Sequence, residues 1–507
     1  MTSVTVIQNG GDERRMVPEP GPPIDSEHVK LKSPAGSPLG TAKLHAIWAK
    51  LPLVLRRVWP ALLVGVAIRL ILAPISLNTD LMVFAQSSAS MLYGQGPYSH
   101  PEVYPPFWVF YLNAVGRATA LIVPGPLWFS TNTQLQSLYL ASSTLTPEYA
   151  LTTVYVVIEK SSLMLFDLGT AFLLYHIAVR QSGQTAAGVG VFALWFLNPY
   201  VIILSSVHGS YDVVPTFCAL AAFVLALERL PLVSGLAIAS AVLLGVFPIF
   251  LVPLLVVVVW KTLRISASGP WKSLLQFVGG LAVPTVAVLA APDLISSYFS
   301  SALVGPSRGT GLYQGFGFWG VFSIPGLKGT DRWLSDLPGT WTLAAFAVVA
   351  FAIALVVAFH FLRTAHSESV TGRFWILAVT ATTMGVFVIP ETFQPQYVVW
   401  VLPFVALLTV GNRWFKIIYV LLSAVPALFY FVLAGPFLNF LPLWYNYHLV
   451  SFGEIDASVR FWVGIQDITF PAMFIPAFVT TVILAVLTFK ELFKGRVSSA
   501  GAGGPRR

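Results

Sequence analysis

Apolar runs long enough to cross a bilayer recur through this chain, over 59–76, 151–179, 212–228 and within 232–260 among others. A helix rising about 1.5 Å per residue needs roughly 20 mostly apolar residues to traverse a hydrocarbon core of about 30 Å. Charged residues make up only 10% of the 507, and apolar residues 56%. A soluble domain carries about 25% charged residues, so the chain reads as an all-α polytopic integral membrane protein. Its net charge of +8 then bears on which loops face the cytoplasm, and no nucleic-acid partner is expected. The single cysteine, Cys218, excludes an intrachain disulfide and most thiolate metal sites.

Both ends are polar. Residues 1–50 are rich in Pro, Gly and charge, with no apolar stretch behind a basic start, which predicts a disordered tail rather than a signal peptide. Residues 491–507 predict a second tail, and the membrane domain between them, 51–490, shows no internal repeat. Arg56, Arg57, Arg180, Arg229, Lys261, Arg264 and Lys272 flank apolar runs, as do Arg363, Arg373, Arg413, Lys416, Lys490, Lys494 and Arg496 further on. Such residues mark the cytoplasmic side. Parity then places 77–149, 292–338 and 434–467 outside, leaves 105–123 dipping in or lying flat, and splits 232–260 into two short segments at Pro248 and Pro253. About twelve crossings result, short broken helices included, with both termini cytoplasmic. The membrane is the cell membrane in a prokaryote and the endoplasmic reticulum membrane in a eukaryote.

That topology gathers the polar clusters at the outer ends of spans. They are the segment around Asp80, SSVHGSYDVV at 205–214, the Gly-rich 305–320 with Arg308, and PETFQPQYVVW at 390–400. An acid, a His and an Asp four residues apart, a cation in a glycine loop and aromatic residues are what a site at headgroup level needs. Each also has a structural reading. Asp80 after Thr79 suits a helix N-cap, and His208 with Asp212 suits capping and dipole complementation at a helix start. Tyr98, Tyr104, Trp108, Trp319 and Trp400 suit interfacial anchoring. Asp167 lies inside a span, where an acid faces a partner, and Lys160 two turns earlier is the expected one.

In order, TDLMVFAQSSASMLYGQGPYSHPEVYPPF, FDLGTAFLLYHI, WFLNPYVIILSSVHGSYD, FPIFLVPLL and QPQYVVWVLPF resemble the GT-C glycosyltransferases that use polyprenyl- or dolichyl-phosphate sugars. They resemble in particular the GPI mannosyltransferase I type and its prokaryotic relatives. The resemblance covers roughly 77–411 and implies a GT-C-type fold with a large first outer loop. It departs at two places: the acid pair of the relatives reads Asn78-Thr79-Asp80, and Gly245 stands where a Lys is often found. The U-type subunit of GPI transamidase shares the fold and the NPY motif, is not catalytic, and lacks the acid kept here as Asp80.

The resemblance implies an inverting hexosyl transfer, of mannose, from a polyprenyl- or dolichyl-phosphate donor to a glycolipid or other acceptor among the membrane lipids. Asp80 is then the general base, a role worth about 10²- to 10⁴-fold. Tyr98, Tyr104, His208, Asp212, Arg308, Gln396 and Tyr397 bind substrate, with Arg308 forking onto the donor phosphate. No cofactor is expected; a divalent metal stays open. Two other readings stand beside the transferase. A non-catalytic assembly subunit would keep the fold without the outer acid, and a secondary transporter would place polar residues at mid-membrane.

Overall fold

The structure, a computed structural model, describes residues 39–95, 105–124, 128–131, 149–263, 270–290, 318, 339–365, 372–389, 395–432, 440, 442–445 and 447–500. Contacts divide the chain into two units, Met1–Leu51 and Pro52–Arg507. Helix α1 (Leu39–Ile75) is followed by α2 (Thr79–Leu92) and α3 (Pro106–Ala120). A three-residue strand β1 (Phe129–Thr131) pairs antiparallel with β2 (Tyr149–Leu151), Ser130 opposite Ala150. Then come α4 (Thr153–Ser182), α5 (Thr185–Phe196), the short α6 (Pro199–Ile202), α7 (Val213–Leu227), α8 (Pro231–Leu244), α9 (Val252–Leu263) and α10 (Pro270–Leu289). The last third contributes α11 (Gly339–Thr364), α12 (Arg373–Val386), α13 (Leu402–Leu408), α14 (Arg413–Val432) and α15 (Phe452–Ala500). Helix begins and ends inside the two expected tails, at Leu39 and Ala500.

Apart from the short β1–β2 pair, the described residues are those of an all-α multi-pass membrane protein. Six stretches among the described residues are long and apolar enough to cross a bilayer: Leu53–Ile75, Thr153–Ser182, Pro270–Leu289, Ala344–Thr364, Arg413–Tyr430 and Ala472–Lys494. Thr185–Phe196 and Pro199–His208, bent by 48°, make a seventh if taken as one broken span. Four shorter apolar helices stand beside them; the twelve expected crossings count segments of this kind. The 232–260 run is broken, with α8 ending at Gly245 and a 3₁₀ turn, Phe247–Leu251, carrying Pro248 before α9. The outer flank of α1 exposes Trp59, Leu63 and Ile71, and that of α11 exposes Val348 and Val356, as faces toward lipid must.

Polar residues inside the bundle are spent on joining helices. Arg69 of α1, fully buried, sits 3.5 Å from Asp167 of α4 and donates to the Phe196 carbonyl at 2.7 Å, its guanidinium 4.2 Å over the Phe196 ring. The partner of Asp167 is therefore not Lys160. The Lys160 ammonium reaches Ala73 O, Ser76 O and Ser76 Oγ at 3.3, 2.6 and 2.8 Å, holding the end of α1. Helices α8 and α10 meet backbone to backbone at Gly235 and Gly280, as small residues permit in membranes.

Candidate functional site

Asp80 is the second residue of α2, whose N-cap is Asn78, so Asp80 does not cap the helix. Its half-exposed carboxylate stands 3.3 Å from Nε2 of the buried His208. The Asn78 side-chain amide also meets the imidazole, within reach of both Nδ1 and Nε2. His208 reaches this position from a π turn, Ile203–His208. The amides of Gly209 and Ser210 both return to the Leu204 carbonyl at 2.9 Å, and the wider turn re-aims the side chain, as such bulges do at functional sites. Gly209 closes the turn at φ 77, with Leu81 2.9 Å from where a Cβ would lie, so only glycine fits.

Asp212 occupies the N-cap position of α7, yet its carboxylate does not cap. Oδ2 accepts from the Ser210 hydroxyl at 2.8 Å and Oδ1 from the Trp400 indole N–H at 3.0 Å. Burial pushes its carboxyl up to about 6, against the pull of those two hydrogen bonds and of His208. The 3₁₀ turn Pro395–Trp400 supplies Gln396, whose Oε1 accepts from the Tyr430 hydroxyl at 2.8 Å. The Tyr430 ring lies 4.8 Å from that of His208. Tyr397 stacks on Trp400 at 4.3 Å, and Trp400 on Phe247 at 4.3 Å. Tyr200, from the NPY motif, donates to the Pro395 carbonyl at 2.6 Å and fixes this turn.

Asp80, His208 and Gln396 thus converge through Tyr430, while Asp212 and Tyr397 meet at Trp400. Tyr98, Tyr104 and Arg308 lie outside the described residues. Asn78 and Ser210, which lie inside segments the sequence marks without being singled out there, and Tyr430, which lies outside them, also belong to the site. Elsewhere on α4, Glu159 is fully buried one residue from Lys160, with both carboxylate oxygens lacking a hydrogen-bond partner. Among the described residues no three His, Cys, Asp or Glu side chains gather as metal ligands.

A helical membrane scaffold with a carboxylate–imidazole pair beside buried aromatic residues defines a class of polytopic membrane protein. A fold of that class does not itself specify chemistry. Residues 129–303 match the family model of the GPI transamidase subunit PIG-U, and no curated protein matches the chain. The matched segment is about a third of the chain; it carries the NPY turn, His208 and Asp212, but neither Asp80 nor Arg308 nor Gln396.

This corrects the likeness to the GPI mannosyltransferase I type. Hexosyl or mannosyl transfer, Asp80 as general base, the polyprenyl- or dolichyl-phosphate sugar donor and the glycosyl acceptor all depended on that likeness and fall with it. The motifs that suggested a transferase position helices: NPY builds the broken span and anchors a turn. The one residue that weighed toward catalysis, Asp80, lies outside the matched segment.

Proposed function

We propose that this chain is a non-catalytic subunit of a membrane complex of the GPI transamidase kind, and that its Asp80–His208 end docks the hydroxyl-bearing headgroup of a glycolipid without transforming it. The observation that carries the reading is the family match over 129–303. The site chemistry agrees with it: carboxylate, imidazole and amide groups arranged beside aromatic rings suit sugar or polyol hydroxyls. In this reading 51–490 is the membrane domain, the Asp80 end faces the lumen or cell exterior, and both termini are cytoplasmic. The membrane is that of the endoplasmic reticulum in a eukaryote and the cell membrane in a prokaryote. Arg308, Tyr98 and Tyr104 join the docking rim.

The test is purification of the tagged chain in mild detergent after lipid-preserving solubilisation. Stoichiometric recovery of other integral membrane subunits, with transamidase activity present in the complex and absent from the chain alone, is the expected result. A chain that purifies alone and releases polyprenyl phosphate from a mannosyl donor would refute the reading.

A further inference from the structure

Helix α10 buries Phe277, Gly280 and Pro284 against its neighbours and leaves Leu275, Gln276, Val278, Val283 and Val286 exposed. Apolar residues on such a face meet lipid, but Gln276 is an amide. It stands six residues into the span, about 9 Å from its start, where no water is present to bond it. Its side chain makes no hydrogen bond among the described residues. In the other described spans the exposed charged, amide and hydroxyl side chains lie within about one turn of an end, Arg57, Lys416 and Lys490 being the deepest. A second cost lies beside the first. Gly279 follows Gln276 by three residues, which makes the two neighbours on the helix surface, and nothing lies within 4 Å of where its Cβ would be. Glycine inside a helix is less stable than alanine, and no described contact uses its small size. On the opposite side of α10, Gly280 shows what the missing atom permits: the Leu232 carbonyl of α8 passes 2.0 Å from where a Cβ would lie.

We infer that the Gln276–Gly279 face of α10 docks a transmembrane helix of another subunit, one that presents an amide or hydroxyl side chain to Gln276 and lays its backbone against Gly279. The amide selects such an occupant over lipid. It both donates and accepts hydrogen bonds, whereas an acyl chain does neither, and a side-chain bond to a neighbouring helix is how polar groups inside a bilayer are satisfied. The glycine selects it too, because a missing Cβ lets two backbones approach closely, near enough for a short Asn, Ser or Thr side chain to reach Gln276. Val283, two turns beyond Gln276 and also exposed, continues the same face with an apolar surface. The inference rests on the subunit reading above and adds to it the surface through which one partner is held.

The experiment uses the tagged full chain in its native membranes. A benzophenone amino acid replaces Val283 on this face or, for comparison, Val356 on the exposed side of α11. After illumination the attached polypeptide, and the peptide within it, are identified by mass spectrometry. The inference expects the Val283 probe to join a transmembrane segment of one polypeptide that also co-purifies with the chain, and the Val356 probe not to join that segment. Gln276→Leu should lower both the cross-link and the recovery of that polypeptide about three- to thirty-fold, the range for one interhelical hydrogen bond. Gly279→Leu, which holds the backbones apart, should lower them at least as much, and Gln276→Asn, which keeps the amide, should lower them less. In the chain expressed without its partners, both leucine variants should melt at or above the wild-type midpoint, since both positions are open. Full recovery of the partner with both variants, or Val283 cross-links to lipid alone, overturns the inference while the subunit reading stands. A cross-link to a second copy of this chain overturns it in favour of a dimer, and a lower midpoint for Gln276→Leu alone would show that the face is packed within this protein. A chain that leaves its native membranes with no partner refutes the subunit reading itself, and this inference with it.

Discussion

Replacing Gly280 by alanine, one methyl group in a 507-residue protein, is expected to be among the most damaging small changes available. An ideal Cβ at Gly280 would lie 2.0 Å from the Leu232 carbonyl oxygen, and one at Gly235 would lie 2.1 Å from that of Phe277. Real Cβ atoms essentially never come closer than 3.0 Å. Both obstacles are main chain, so no rotamer change relieves them and the α8–α10 axes must part by about 1 Å. A gap of that size forfeits a quarter to a half of each dispersion contact along the seam, and overpacking costs about 1–3 kcal/mol. With backbone as the obstacle the upper figure applies, about 3 kcal/mol. Gly279, one residue away, has nothing within 4 Å of its added Cβ. Gly279→Ala should therefore be neutral or gain up to about 1 kcal/mol in helix propensity. Thermal unfolding of the two detergent-purified variants, followed by fluorescence-detected size exclusion, reads the difference. A Gly280→Ala midpoint equal to wild type, or an equal loss at Gly279, would show that the close approach of these helices has been misjudged.

Arg69→Met leaves Asp167 buried without its counter-ion and should cost about 3–5 kcal/mol, whereas Arg69→Met with Asp167→Leu should recover most of it; a double variant no more stable than the single one would contradict the pairing. Asp212 binds its proton more tightly folded, at about 6, than at the ordinary value of 3.8. Stability should therefore fall as pH rises from about 4 through about 6, by up to about 3 kcal/mol. Asp212→Asn should remove that slope, which unfolding midpoints measured across this pH range will show.

The membrane class was legible because apolar run length is a one-dimensional property. Side-chain partnership was not. Asp167 has a cation on its own helix two turns away, but Lys160 turns to the end of α1 and the real partner is 98 residues distant. Trp400 and Tyr430 reach Asp212 and His208 from 188 or more residues away, and no local pattern signals that. Asp80 looked like a cap because Thr79-Asp80 suits one; the cap fell two residues earlier, at Asn78, freeing the carboxylate for His208. The transferase reading failed for a different reason. Scaffold motifs such as NPY report how helices are broken and joined, and these are kept whether or not the site performs chemistry.

The Arg69–Asp167 bridge also sets an order of events during synthesis. Arg69 lies within the first span, Leu53–Ile75, and a cation inside a nascent transmembrane helix opposes insertion by up to about 3 kcal/mol. Its counter-charge is encoded 98 residues later, which at 5–20 residues per second is a wait of roughly 5–20 s. Through that interval α1 carries a buried charge without its counter-ion, tolerated because the Leu, Ile and Val residues around it favour the bilayer by more than Arg69 opposes it. The pair closes only when α4 emerges and brings Asp167 alongside.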